Sequence, residues 1–353
     1  MSVSAEPMTI APGWLRGPAF DMGFIVGIAL LALASGAAVV VEPSLLLPIL
    51  FLDVWLLGYH HVVATFTRLC FDRASARRHR FLLFGLPPLL LVAVIALAAG
   101  VGVWILATIY LYWQWFHYTR QGWGIAQFYR RRADGAVSDS LALLQAVIYL
   151  PPLWGILYRS HQAPETFLSM ELRVLPMPEF AVEVAAVAAL AVIGYWLWLR
   201  AVAWWQGRLA LAHTLFVLSH LAVFVVGYVV IEDITAGWLV VNIWHNAQYI
   251  LFVWLQNNNR YKAGVEPSAR FLSTISQTGN FWLYGVVCLG LSTAAYAALF
   301  LVLGSVYVGQ NAVTGVALLM IAFQTINFHH YIVDAVIWRR RPARKAAVTA
   351  PAE

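Results

Sequence analysis

The segment Val313–Trp338, VTGVALLMIAFQTINFHHYIVDAVIW, decides how the chain must be read. At about 1.5 Å of rise per helical residue it is long enough to cross a hydrocarbon layer of about 30 Å. Yet its last third reads Phe328-His329-His330-Tyr331-Ile332-Val333-Asp334, and Arg339-Arg340-Arg341 follow directly. Ionisable groups at membrane depth are costly, face the interior of a bundle, and mark function by default.

The rest of the chain is built in the same way. Of 353 residues, 62% are hydrophobic and 11% charged, where a soluble domain is about a quarter charged. No soluble core could bury that much apolar surface. The pattern predicts an all-α, polytopic membrane helix bundle of about ten transmembrane helices. Its spans are Phe20–Val41, Leu45–Thr67, Phe81–Gly100, Val101–Tyr129, Leu141–Tyr158, Phe180–Leu199, Leu209–Val230, Ala236–Leu255, Phe281–Leu303 and Val313–Trp338. Residues 1–19 form an amino-terminal cytoplasmic segment, 20–338 a single transmembrane domain, and 339–353 a basic, disordered tail. All of the 22 basic residues except Arg120, Arg159 and Arg173 then fall on one side, which by the positive-inside rule puts both termini in the cytoplasm. The loop Arg159–Glu179 on the other side has room for a short interfacial helix.

The net charge of +6 belongs to segment ends and is not a nucleic-acid signal. The expected surroundings are the lipid bilayer of a bacterial inner (plasma) membrane. Two cysteines, Cys70 in a loop and Cys288 in an apolar run, exclude a disulfide framework or a sulfur-based metal site.

Of the ten histidines, all but His79 and His161 fall inside spans. Counted from the basic ends at about 1.5 Å per residue, His60, His117, His220, His245 and His329 lie roughly 12–20 Å deep, in one layer. Polar side chains accompany them at helical spacing: Asp53 seven before His60, His213 seven before His220, Gln121 four after His117, Gln248 three after His245, and Asp334 four after His330. The expected metal ligands are His60, His61, His117, His220, His245, His329 and His330. Asp53, Gln121, His213, Gln248 and Asp334 stand as ligands or as the groups that orient them. Neighbouring imidazoles diverge by about 100°, and a site with two ions can use both members of a doublet. Imidazole with little sulfur suits iron, copper or zinc.

The doublets Tyr59-His60-His61 and Phe328-His329-His330, with the total histidine count, resemble the histidine-rich integral-membrane di-iron enzymes: desaturases, alkane hydroxylases and carotenoid-modifying oxygenases. The HxxxH and HxxHH spacings of those families are absent. The resemblance implies two iron ions, O₂, and oxidation of an acyl chain, alkane or isoprenoid delivered from the cytoplasmic leaflet. The sequence contains no nucleotide, flavin or iron–sulfur motif, so electrons would come from a separate reductase. Two other classes stay open: a haem b redox protein, in which the doublet resembles the copper ligands of haem–copper oxidases, and a histidine-lined metal or cation transporter.

Overall fold

The computed structural model describes residues 13–135, 137, 139–307 and 312–338, and these are almost entirely helical. In chain order the long helices are α1 (Pro18–Val41), α2 (Pro43–Thr67), α3 (Phe81–Gly100), α4 (Trp104–Arg132), α5 (Leu141–Gln162), α6 (Glu179–Trp205), α7 (Leu211–Val230), α8 (Ile234–Arg260), α9 (Phe281–Tyr307) and α10 (Ala312–Ile337). Seven of them, all except α4, α8 and α10, are long and apolar enough to cross a membrane. The other three bear His117, His245 and His330 with the polar residues around them. The expected first segment and tail lie largely outside the described residues, at 1–12 and 339–353.

Apolar side chains cover the outside of the bundle as well as its inside. Val41, Trp205, Trp282 and Leu301 are each at least three-quarters exposed, as expected of a surface that meets lipid and not water. The axle is α8, buried along nearly its whole length. It lies against α1, where a Cβ on Gly36 would stand 2.2 Å from Val240 Cγ2. It also lies against the end of α7, where a Cβ on Gly237 would stand 2.0 Å from the Gly227 carbonyl oxygen. Only glycine permits backbones so close.

The α7–α8 turn is held by a buried cation. Arg159 of α5 donates to Gly227 O (3.0 Å), Glu232 O (2.5 Å) and Ile231 O, and to Gln162 Oε1 (2.7 Å). Gly227 and Ile231 supply carbonyls that the end of α7 leaves without partners. The loop after α5 forms no interfacial helix. It makes a two-stranded hairpin, Thr166–Phe167 with Met170–Glu171, turned by Leu168 and Ser169 at φ 51° and 61°. Phe167 plugs into the core against Trp238 and Tyr110, which explains why an extended segment wins there.

Contacts gather the basic helix ends at one pole. Gly13 N donates to Arg132 O (2.9 Å), Arg16 reaches Asn258 (3.1 Å), and Arg260 pairs with Asp72 (2.6 Å). Arg130 donates to Asp139 O (2.5 Å), whose carboxylate is paired with Arg200. The start of α1 is tied to the same pole: the buried Asp21 carboxylate accepts from the N–H groups of Leu15, Arg16 and Gly17 and from the Tyr129 hydroxyl (2.6 Å).

Candidate metal centre

Four helices each send one imidazole to the same point in the bundle: His61 from α2, His117 from α4, His245 from α8 and His330 from α10. Ring centroids are 4.4 Å apart for His61–His330, 4.8 Å for His61–His245, 5.0 Å for His117–His245 and 5.2 Å for His117–His330. All four side chains are buried. Asp334, one turn after His330, brings Oδ2 to 3.6 Å from His330 Nε2 and 4.0 Å from His117 Nε2. Donor atoms of His61, His117, His330 and Asp334 all lie within 4.8 Å of one another. This group can hold a metal ion.

Local structure explains why His61, and not His60, turns inward. A π-helical turn, Asp53–Gly58, precedes Tyr59–His61. It accommodates one more residue than an α turn, and such insertions recur at functional sites. Faces that would repeat at seven residues here repeat at eight. Asp53 and His61 both turn toward α8, Asp53 Oδ2 accepting from Asn242 Nδ2 (2.5 Å). His60, expected on the face of Asp53, leans on the Leu56 carbonyl instead.

The hydrogen bonds around the cluster set the protons. Thr65 Oγ1 lies 3.1 Å from His330 Nδ1, 3.2 Å from Asp334 Oδ1 and 2.7 Å from the Tyr249 hydroxyl. Tyr249 donates to Asp334 Oδ1 (2.6 Å), and Trp338 Nε1 donates to the Tyr249 oxygen (3.2 Å). Tyr249 gives its proton to Asp334, and Thr65 has a single proton to give; whether that goes to Asp334 or to the Tyr249 oxygen, His330 Nδ1–H is left to donate to Thr65. His330 Nε2 is then bare and faces the cluster. His61 Nε2 stands 2.6 Å from it. Two ring nitrogens so close must share a proton, so an ion would replace that proton. Among the described residues, His61 Nδ1, His117 Nε2 and both nitrogens of His245 have no hydrogen-bond partner. Buried polar atoms are normally satisfied, and four orphaned ring nitrogens in one cluster are what bare ligand positions look like. Imidazole and carboxylate without sulfur are donors for iron, zinc or copper.

The other expected site residues are placed elsewhere. His220 Nε2 donates to Ile148 O (2.9 Å), the carbonyl that the missing N–H of Pro152 leaves free within α5. Its ring fits because a Cβ on Gly122 would stand only 2.6 Å from Nδ1. His329 Nε2 donates to Leu82 O (2.6 Å), in the π-helical turn ahead of Pro87-Pro88, and its ring stacks on Phe66. Both histidines mend helices interrupted by proline. His213 lies beside Arg200 and Arg130 near the basic pole. Gln121 Nε2 donates to the His245 carbonyl (3.1 Å), and the Gln248 amide is buried without a hydrogen-bond partner among the described residues. Sequence spacing passed over Thr65, Tyr118 and Tyr331. Thr65 is four residues after His61, a signal hidden by counting from His60. Tyr118 and Tyr331 follow His117 and His330 directly; their rings lie 3.9 Å from His245 and 4.5 Å from His117.

Two cavities meet at the cluster. A smaller one, of about 410 Å³, is lined by His117, Asp334, Arg120, Gln121, Gln127 and Arg131 among others. A larger one, of about 670 Å³, is lined by His61, His245 and His330, and beyond them mostly by aliphatic and aromatic side chains, with Asn242, Asn246, Gln324 and Asn327 among them. Tyr331 borders both. Compared with known proteins, the chain matches no family model, no curated protein and no solved structure.

Proposed function

We propose that this protein is an integral-membrane, non-haem metal oxidoreductase that uses O₂ on a lipidic substrate: an acyl chain, alkane or isoprenoid. In this reading α4, α8 and α10 also cross, giving ten spans in a bacterial inner membrane with both termini cytoplasmic. The observation that carries it is the convergence of His61, His117, His330 and Asp334 donor atoms within 4.8 Å, with the unpartnered His245 ring alongside. Iron is the metal whose redox chemistry fits O₂ and whose ligand preference fits imidazole and carboxylate. The donors converge on one point, which favours a single ion over the pair implied by resemblance. They also argue against haem: axial histidines must stand on opposite sides of a macrocycle, and rings with centroids 4.4–5.2 Å apart leave no plane for one.

The ion would supply O₂ activation. The chain's own residues do the rest. Thr65, Tyr249 and Trp338 hold His330 and Asp334 in the protonation state that ligation needs. Tyr118 and Tyr331, against the ligand rings, are placed to hold or pass a proton at their hydroxyls. Oxidation of a C–H bond by O₂ draws an electron pair and protons from outside, and a separate reductase docking on the basic pole would provide the electrons.

A cation transporter is the second reading, and the meeting of two cavities at the cluster favours it. Iron content and an optical spectrum of protein purified aerobically separate the readings. About one tightly held iron per chain, no Soret band, and loss of that iron in His330→Ala support the enzyme. A Soret band, or iron content unchanged in His61→Ala and His330→Ala, sinks it. Metal flux into proteoliposomes with no retained ion would favour transport.

A further inference from the structure

We infer that the larger cavity is the chamber for an apolar lipid carrying a hydroxyl group, and that Gln324 fixes this lipid in register against the metal-binding histidines; this deepens the proposed function and rests on it. The two cavities that touch the cluster differ in chemistry. The smaller one sets the cations Arg120 and Arg131 and the amides Gln121 and Gln127 among aromatic rings. The larger one has no cation in its wall: it presents Leu50, Val54, Trp238, Phe300 and Leu319, with Asn242 and Asn246 already bonded to Asp53. Its wall carries a stack of aromatic rings, Tyr59 on Tyr296 at 3.6 Å with Phe323 at 6.0 and 5.8 Å. A volume of about 670 Å³ lies within the range of about 300–1,000 Å³ typical of small-molecule sites. His61, His245 and His330 are part of the wall of this chamber, so a chain lying in it meets the cluster directly.

One polar group in that chamber has no explanation in the fold. Gln324 lines it, is 3% exposed, and its Oε1 has no hydrogen-bond partner among the described residues. A buried acceptor left alone is costly, and an O–H brought in by a ligand removes the cost. Asn327, one turn on, lines the same chamber. Gln324 precedes His330 by six residues, about 9 Å along the helix axis. A hydroxyl held at Gln324 therefore leaves the carbon facing the histidines several bonds away. The geometry selects attack part-way along a hydroxylated chain and not at the alcohol itself.

The test is equilibrium binding of radiolabelled hexadecan-1-ol and of its methyl ether to the full-length protein in nanodiscs, with iron content measured on the same samples. The wild type should prefer the alcohol by about tenfold. Leu319→Trp and Val54→Trp, two independent ways to fill the chamber, should each abolish binding and keep the iron. Gly124→Trp, which fills the smaller cavity, should leave binding intact. Gln324→Leu should erase the preference, and Gln324→Glu, which restores an acceptor, should keep it. Unchanged binding in both chamber-filling variants overturns the chamber. Equal binding of alcohol and ether by the wild type overturns the role of Gln324. Alcohol bound by a protein that never retains iron would sink the metal reading and leave the chamber standing; iron retained with no alcohol bound would do the reverse.

Discussion

Replacing Tyr249 with phenylalanine removes one oxygen from the outer shell of the cluster and little else. The hydroxyl donates to Asp334 Oδ1 at 2.6 Å, stands 2.7 Å from Thr65 Oγ1, and accepts from Trp338 Nε1 at 3.2 Å. The ring, whose centroid lies 4.1 Å from that of His61, stays. A hydrogen bond to a charged group contributes about 1.5–3 kcal/mol net. Loss of a group that orients a metal ligand costs about 10–100-fold in metal affinity, equivalent to roughly 1.4–2.7 kcal/mol. The first figure is lost with or without metal and the second only on loading, so Tyr249→Phe should destabilise the metal-free protein by about 1.5–3 kcal/mol and, in addition, weaken metal binding by about 10–100-fold. Metal titration of the purified apoprotein against a competing chelator measures the affinity, and unfolding followed in detergent the stability. Thr65→Val should act in the same direction. Wild-type metal affinity in Tyr249→Phe would refute the assignment of Asp334 as a ligand oriented by this network. So would an apoprotein destabilised as much as the loaded one, since Tyr249 would then be a packing residue.

Three further outcomes follow from the same contacts. His220→Phe should leave metal content unchanged yet lower stability by about 1–3 kcal/mol, because the Ile148 carbonyl loses its donor; metal analysis and a melting curve read both. Arg159→Met should destabilise by at least about 3 kcal/mol, since Gly227, Ile231 and Glu232 carbonyls all lose a charged donor, and the α7–α8 turn should become the first site of proteolysis. At the basic pole, burial raises the Asp72 carboxyl, but hydrogen bonds from Arg260 and the Ser75 and Ala74 N–H groups outweigh it and hold the group below its ordinary value. A carboxyl depressed in the folded state stabilises above its unfolded range and loses that contribution as pH falls through the folded value. Asp72→Asn should therefore flatten the acid limb of the stability profile below about pH 4 and cost stability at neutral pH, measured by melting temperature against pH.

How much was legible beforehand differs between the fold and the centre. Composition and hydropathy were enough for helices long and apolar enough to cross a membrane, because in lipid so much apolar surface admits no other backbone solution. Spacing of four residues marked His330 with Asp334 and His117 with Gln121, since i and i+4 share a helix face whatever the tertiary context. Which imidazoles meet was decided only in three dimensions. The π-helical turn Asp53–Gly58 shifts the face by one residue and exchanges His60 for His61, and no hydropathy pattern reports it. His220 and His329 share their neighbours' depth, yet turn away to carbonyls released by prolines on other helices. Depth and helix face are properties of a single segment and can be counted along the chain. Convergence depends on the rotation of each helix against its neighbours, and that is set by packing, by close glycine contacts such as Gly36 on Val240, and by where broken backbone hydrogen bonds must be mended.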